Sequence, residues 1–144
     1  MILTDPNNLR PRLANARTIA VLGAHTDLTR PARYVPEYLH HQGCRILPVN
    51  PTLVGQTLWG EPVRASLLEW KGQFDLVDVF RRSEALPDHV EELLGACRPG
   101  TLVWFQLGIR NDTVATELAK AGLDVVQNRC ILADHRAWGL GRVP

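Results

Sequence analysis

Four arginines stand just after short apolar runs or at the start of a following helical segment: Arg30, Arg81, Arg82 and Arg129. A guanidinium binds phosphate and carboxylate groups through charge-assisted, paired hydrogen bonds. The net charge of the chain is only +1, so this concentration of positive charge is local. The arginines predict a site for a polyanionic small molecule. The alternative is that they are ordinary polar residues of surface loops.

The stretch from Thr18 to Pro31 has the layout of a phosphate-binding loop. Its apolar run, residues 19–22, predicts a buried parallel strand, and Gly23 follows where a ligand can approach the backbone. Pro31 suits the first turn of a helix, whose positive dipole end favours an anion. Both the Gly-x-Gly-x-x-Gly fingerprint and the phosphate loop with its Lys are missing. On this stretch alone, a ligand site and a plain strand-to-helix turn are equal alternatives.

Apolar runs alternate with helical periods along the whole chain. The runs predict five strands, over residues 19–22, 46–49, 76–80, 102–105 and 123–126. A helix is expected that either starts near Arg33 or is kinked, since Pro36 costs a hydrogen bond beyond the first turn. Two more helices follow, one capped by Ser83 and the other by Asn111 or Asp112. Alternating strands and helices pair in parallel through right-handed crossovers. The expected fold is therefore a single α/β domain with an open, doubly wound, five-stranded parallel sheet.

The two ends of the chain carry weaker signals. Residues 1–16 form an N-terminal segment in which Thr4 and Asp5 favour a short helix starting at Pro6. Residues 17–135 form the expected domain. The tail, residues 136–144, shows no clear element, and neither does the stretch from Asp134 that leads into it.

No residues are spaced for catalysis or for a metal. The five histidines lack zinc-type spacing, and three isolated cysteines indicate reduced thiols and a cytoplasmic protein. Cys130 and His135 are a candidate thiol–base pair, with a plain core or rim thiol as the alternative. Asp78 lies inside a strand and needs a partner if it is buried. We expect no catalytic residues and no metal, which favours a binding module over an enzyme.

Composition excludes several classes of partner. Hydrophobic residues make up 45% and charged residues 22% of the 144 residues, as expected for one globular domain with a core. A net charge of +1 gives no electrostatic case for nucleic acid or an anionic membrane surface. The apolar runs are far shorter than the roughly 20 residues that span a bilayer. The first residues show no secretory signal pattern, so we expect a cytoplasmic protein.

Several segments, taken in order, resemble the stand-alone CoA-binding domain family. They are residues 18–23, Arg30-Pro31, residues 48–51, residues 77–83, residues 104–111 and residues 128–130. These small bacterial proteins are similar to the N-terminal domain of the succinyl-CoA synthetase alpha subunit. The resemblance covers about residues 17–135. It implies a Rossmann-like fold with coenzyme A, or an acyl-CoA, across the carboxyl ends of the strands.

The resemblance also implies a site residue by residue. It assigns the phosphates to Gly23 and Ala24, with His25 where the family usually has a small residue, and the ADP moiety to Arg30. It assigns the adenosine part to Asn50 and Pro51, and the adenine to Val79, Phe80 and Arg81. It assigns the pantetheine arm to Gln106, Leu107 and Gly108, and the far end of that arm to Asn128, Arg129 and Cys130. Pro36 is a second departure from the family pattern, because the family's helix normally has an ordinary helix former at that position.

Two functions of different classes follow. The leading hypothesis is a non-enzymatic CoA-binding, sensing or accessory module, with an unidentified protein partner. The alternative is an oxidoreductase that depends on NAD(P) or another nucleotide. The missing glycine fingerprint counts against the alternative, and so does Asn50, which stands near where a ribose-binding acid is expected. An interaction protein with a decayed site is a third reading, which the local arginines disfavour.

Overall fold

The apolar runs of the sequence form the strands of one parallel sheet. The computed structural model describes residues 1–143. Within them the strands are β1 (Thr18–Leu22), β2 (Arg45–Val49), β3 (Thr57–Leu58), β4 (Glu61–Pro62), β5 (Leu76–Val79), β6 (Leu102–Phe105) and β7 (Asp124–Val126). The main sheet has the order β2-β1-β5-β6-β7, and all of its pairs are parallel. The five predicted strands are confirmed.

The strand β2 lies at the edge of the sheet, where a proline is tolerated. Pro48 is paired with Val21 of β1 on one side. On the other side the Pro48 carbonyl accepts the Arg64 N–H at 3.1 Å. This contact does not require the N–H that proline lacks. The short β3–β4 hairpin falls in a stretch that the sequence analysis left without an element.

Helices cover both faces of the sheet. They are α1 (Pro6–Ala14), α2 (Pro31–His41), α3 (Val90–Ala96), α4 (Asp112–Lys120) and α5 (Ile131–Ala137), and 3-10 turns cover Pro51–Leu53, Leu67–Trp70 and Ser83–His89. Buried residues of α3, α4 and the turn Leu67–Trp70 share one core cluster with one face of the strands. Buried residues of α1, α2 and α5 form the other cluster. The doubly wound, Rossmann-like α/β fold is thus confirmed. No helix among residues 1–143 has the length and apolar character to cross a membrane.

Two of the predicted helix caps are present and one is not. The side chain of Asp5 accepts the Asn7 N–H at the start of α1, and that of Asn111 accepts the Val114 N–H at the start of α4. The prediction that Ser83 caps a helix is wrong. Its hydroxyl instead accepts the Arg110 N–H at 2.9 Å and so joins two loops.

Helix α2 differs from its prediction in a way that involves Pro36. The helix begins at Pro31 and not near Arg33, so Pro36 lies inside it. A proline has no N–H to donate to the carbonyl four residues earlier. That carbonyl, on Ala32, accepts the N–H of His25 at 3.4 Å instead. The proline therefore leaves an acceptor free for the loop that follows β1.

The C-terminal part is more ordered than its sequence indicates. Helix α5 continues through Ala137, so the expectation of no element from Asp134 onward is wrong for its first residues. Trp138, Leu140 and Val143 pack against the core, and the Val143 N–H donates to Gln42 O at 2.7 Å. Pro144, the last residue of the expected tail, lies outside the described residues.

Candidate functional site

A cavity of about 620 Å³ opens at the carboxyl ends of the strands. It lies beside β1 and β5, the neighbouring strands at which the strand order reverses, which is where open α/β sheets bind ligands. Its lining residues are Arg30, Pro31, Ala32, Tyr34, Val35, Phe80, Arg81, Arg82, Ser83, Glu84, Gln106, Leu107, Gly108, Ile109 and Cys130.

Gly23 allows the ends of β1 and β5 to approach each other closely. Its φ is +90°, a conformation that L side chains rarely adopt. A Cβ on this residue would lie 2.8 Å from the Phe80 carbonyl oxygen and 3.1 Å from Arg81 Cδ. The stem of Arg81 therefore passes directly over Gly23. The glycine is required by neighbouring protein atoms, and not only by the ligand that the sequence analysis expected there.

Arg81 is the cavity arginine with the least compensated charge. Its Nε donates to His89 Nε2 over 3.2 Å, and over residues 1–143 its guanidinium forms no salt bridge with a carboxylate. The other two arginines of the cavity have acidic neighbours. Arg30 lies 3.6 Å from Asp27, and Arg82 lies 3.8 Å from Glu84. Arg81 is thus best placed to bind an added anion.

Helix α2 begins at the edge of the cavity. Its first residues, Pro31 and Ala32, are part of the lining, and the N-cap residue Arg30 forms no side-chain cap hydrogen bond. The first turn contains no acidic side chain that would neutralise the positive end of the helix dipole. The helix start and the Arg81 guanidinium therefore both bring positive charge to the cavity.

Residues 106–108 form another wall of the cavity. Gln106 is only 3% exposed, and its Oε1 accepts the Ile131 N–H at 3.2 Å, which joins the end of β6 to the start of α5. Leu107 is 66% exposed and offers an apolar surface. The Gly108 N–H donates to Asn128 Oδ1 at 2.7 Å. This wall therefore offers the exposed apolar side chain of Leu107, between two residues that are held by hydrogen bonds within the protein.

The structure brings seven of the fifteen predicted site residues to the cavity: Arg30, Phe80, Arg81, Gln106, Leu107, Gly108 and Cys130. The other eight are not part of the lining: Gly23, Ala24, His25, Asn50, Pro51, Val79, Asn128 and Arg129. Ala24 and Val79 are fully buried in the two core clusters. Asn128 has a φ of +56° and supports Gly108.

Two predicted residues form hydrogen bonds with the backbone of the loops after β1 and β2. Asn50 donates from Nδ2 to the Ala24 carbonyl at 2.8 Å, while its Oδ1 accepts the N–H of Thr52 beside the exposed Pro51. The Nδ1 of His25 accepts the Asp27 N–H at 2.9 Å. The Asn50 side chain therefore joins the loop after β2 to the loop after β1, and the His25 side chain closes a turn within the loop after β1.

Arg129 is paired with a carboxylate of the protein itself. It forms two hydrogen bonds with Asp134, at 2.7 and 2.9 Å, and its guanidinium lies 5.6 Å from the Trp138 ring centroid. The hydrogen bond to Asp134 raises the pKa of Arg129 above its usual value. Its carbonyl accepts the Trp104 indole N–H at 2.8 Å. These contacts anchor α5 against the sheet.

The candidate pair of Cys130 and His135 is not assembled. Cys130 lines the cavity, whereas His135 is buried with its Nδ1 2.7 Å from the Tyr38 hydroxyl. No hydrogen bond joins the two residues in the described part of the chain. Burial lowers the pKa of His135, which favours a neutral ring. Among residues 1–143 there is also no cluster of three His, Cys, Asp or Glu side chains suited to a metal ion.

Eight lining residues were not among the predicted ones: Pro31, Ala32, Tyr34, Val35, Arg82, Ser83, Glu84 and Ile109. Tyr34 and Val35 lie in α2, and a helical period in the sequence does not tell which part of a helix face meets a ligand. Arg82 was recognised as a rim arginine. Its neighbours Ser83 and Glu84 begin a 3-10 turn at the mouth of the cavity.

The fold and the site define a Rossmann-like domain with one positively charged, partly apolar cavity at the strand ends. The family model described as "CoA binding domain" matches residues 17–136. The chain is 35% identical over 123 residues to the uncharacterized protein YneT of Bacillus subtilis, which covers 85% of this chain and 88% of that protein. The chain belongs to the CoA-binding domain family.

Solved structures agree with this assignment. The protein of Thermus thermophilus known as cell-free ID.343 is 50% identical, with a TM-score of 0.88 over 94% of this chain and 99% of that one. A hypothetical protein from Pyrococcus horikoshii OT3 is 27% identical, with a TM-score of 0.83 over 94% of this chain and 92% of that one. The similarity extends over nearly the whole length of each of these proteins.

Proposed function

We propose that this protein binds coenzyme A or an acyl-CoA in the cavity and acts as a non-enzymatic binding, sensing or accessory module. The observation that carries the proposal is Arg81, which lines the cavity and whose guanidinium has no carboxylate partner in the described chain. Family membership supports the choice of ligand. A protein partner that reads or uses the bound ligand is part of the proposal.

The distribution of charge along coenzyme A matches the arrangement of charged and apolar residues in the cavity. Coenzyme A carries its charge on the pyrophosphate and the 3′-phosphate, and almost none along the pantetheine arm. The phosphates would lie by Arg81 and the start of α2, and the arm would follow Gln106, Leu107 and Gly108 toward Cys130. Phe80 offers an aromatic surface for the adenine. An oxidoreductase with NAD(P) is less well supported, because Asn50, and not an acid, follows β2.

The test begins with ligand choice. Native mass spectrometry of freshly purified protein would detect retained CoA as added mass. In a thermal-shift assay, excess CoA should raise the melting temperature more than NAD or NADP does, because a ligand that binds only the folded state stabilises it. A shift with NAD equal to that with CoA would refute the assignment.

Arg81→Ala then tests the site. Losing a charge-assisted hydrogen bond of roughly 1.5–3 kcal/mol should weaken CoA binding about 10- to 100-fold in calorimetry. Arg98→Ala is the matched control, since Arg98 precedes β6 at the other end of the sheet. Repeating both with dephospho-CoA tells whether Arg81 reads the 3′-phosphate. Unchanged CoA affinity in Arg81→Ala would remove this arginine from the site.

A further inference from the structure

Arg81 is one end of a chain of hydrogen bonds that leads away from the cavity. Its Nε donates to His89 Nε2 at 3.2 Å, and His89 Nδ1 lies 2.9 Å from Glu92 Oε1. An arginine can only donate, so Nε2 of the imidazole must be the acceptor. The ring is therefore neutral, with its proton on Nδ1, which donates to Glu92.

Glu92 is itself held in place from the far side. Its Oε2 accepts the Ser66 hydroxyl at 2.9 Å and the Leu67 N–H at 2.7 Å. Burial raises the pKa of Glu92, but the hydrogen bonds from His89, Leu67 and Ser66 together bring it below its usual value. The carboxylate is thus ionised and fixed against the turn Leu67–Trp70, which makes it a firm anchor for His89.

These contacts restrict the orientations that the Arg81 guanidinium can adopt. Its stem crosses Gly23, its Nε is used by His89, and its two terminal nitrogens have no carboxylate partner among residues 1–143. A free arginine must lose rotamer freedom when it binds an anion, and a side chain already held in one direction loses less. His89 does not line the cavity itself.

We propose that His89, oriented by Glu92, is a positioning residue for Arg81: it directs the guanidinium toward the anionic part of the ligand. The proposal rests on the CoA-binding function above and adds a residue outside the cavity to it. Nothing in the sequence marks His89, because it lies eight positions from Arg81 and belongs to a different element.

Calorimetry with CoA on the full chain tests the proposal. His89→Leu removes the acceptor for Arg81 and should weaken binding about 3- to 10-fold. His89→Gln can still accept from Arg81 and donate to Glu92, so it should bind within about twofold of wild type. His40→Leu is the matched control, because His40 is exposed near the end of α2 and should have no effect.

A double-mutant cycle separates positioning from general damage. In an Arg81→Ala background, His89→Leu should cause no further loss of affinity. An equal loss with and without Arg81 would overturn the proposal, and so would wild-type affinity in His89→Leu or a failure of Gln to rescue. Circular dichroism melts of each variant confirm that the protein remains folded.

A second measurement does not depend on any ligand. Long-range nitrogen–proton NMR spectra of the free wild-type protein at about pH 8 should show the His89 proton on Nδ1. A proton on Nε2 would overturn the hydrogen-bond chain even if CoA binds. Failure of wild type to bind CoA, with the Nδ1 proton in place, would refute the proposed function and with it the role of His89.

Discussion

Asp78 provides the sharpest test of how the interior of the sheet is packed. It lies in β5 between Val21 of β1 and Trp104 of β6, with 0% of its surface exposed. Neither carboxylate oxygen has a hydrogen-bond partner among the described residues. Burial raises the pKa of Asp78 well above the ordinary 3.8. The carboxyl group should therefore stay protonated in the folded protein at pH values where the unfolded chain has lost the proton.

The sign and size of the effect follow from proton linkage. Below pH 3.8 both states are protonated, and Asp78 adds no pH dependence. Above it, only the folded state keeps the proton, so the free energy of unfolding falls by about 1.4 kcal/mol per pH unit. The fall ends when the pH passes the raised pKa of the folded state.

Two substitutions separate the proton from the buried polar group. Asp78→Asn removes the titration and keeps a polar side chain, so its stability relative to wild type should grow by about 1.4 kcal/mol per pH unit just above pH 4. Asp78→Val also removes an unpaired polar group whose burial costs roughly 1–3 kcal/mol. It should exceed wild type at every pH.

Urea unfolding followed by circular dichroism, at several pH values between about 4 and 6, measures these differences. Titrations of the other carboxylates are shared by all three proteins and cancel in the comparison. Parallel pH profiles for wild type and Asp78→Asn would refute the raised pKa. A Val variant less stable than wild type would show that the carboxyl group has a stabilising partner after all.

Three further substitutions, at two glycines and one partly buried carboxylate, are tested by thermal and urea unfolding. Gly122→Ala, at φ +95° and with open space around the new Cβ, should cost about 1–2 kcal/mol of stability. Gly23→Ala, at φ +90°, should cost clearly more, because its Cβ would meet the Phe80 carbonyl. Equal costs for the two variants would mean that the loop at Gly23 relaxes freely. Glu92→Gln should lower the stability by about 1–2 kcal/mol at pH 7 through weaker bonds to its donors. Because the folded pKa of Glu92 is lowered, the stability it contributes is present above its ordinary pKa of 4.5 and is lost as the pH falls through the folded pKa. An equally large loss at pH 7 and near pH 3.5 would refute a role for its charge.

The sheet could be predicted from the sequence because its strands are buried on both faces. Runs such as residues 19–22 and 102–105 are apolar without alternation, which is typical of parallel strands covered by helices. A proline inside a strand is typical of an edge strand, and β2, which contains Pro48, is at the edge of the sheet. Helix α5 was missed because it has seven residues and its N-cap, Cys130, makes no capping hydrogen bond.

For the site, the sequence could predict the location at the strand ends but not which side chains are free to bind a ligand. Topology places those ends at one edge, so the positions of Phe80, Gln106 and Leu107 on the cavity follow from the order of the elements. Which side chains remain free does not follow, because that depends on partners far away in sequence. Arg129 has the right residue type and position, yet Asp134 engages it.

Most polar groups at the strand ends are used to hold the loops together, and this limits what a ligand can contact. The Asn128 side chain binds the Gly108 N–H, the Ser83 hydroxyl binds the Arg110 N–H, and the Gln106 side chain binds the Ile131 N–H. Each of these bonds joins two segments that are far apart in sequence, so the rim formed by the strand ends and the loops after them is preorganised before a ligand arrives. A preorganised rim with few free groups concentrates binding energy in those groups. The strongest single effect on affinity should therefore come from Arg81, and substitutions at the engaged positions should act mainly through the shape of the rim.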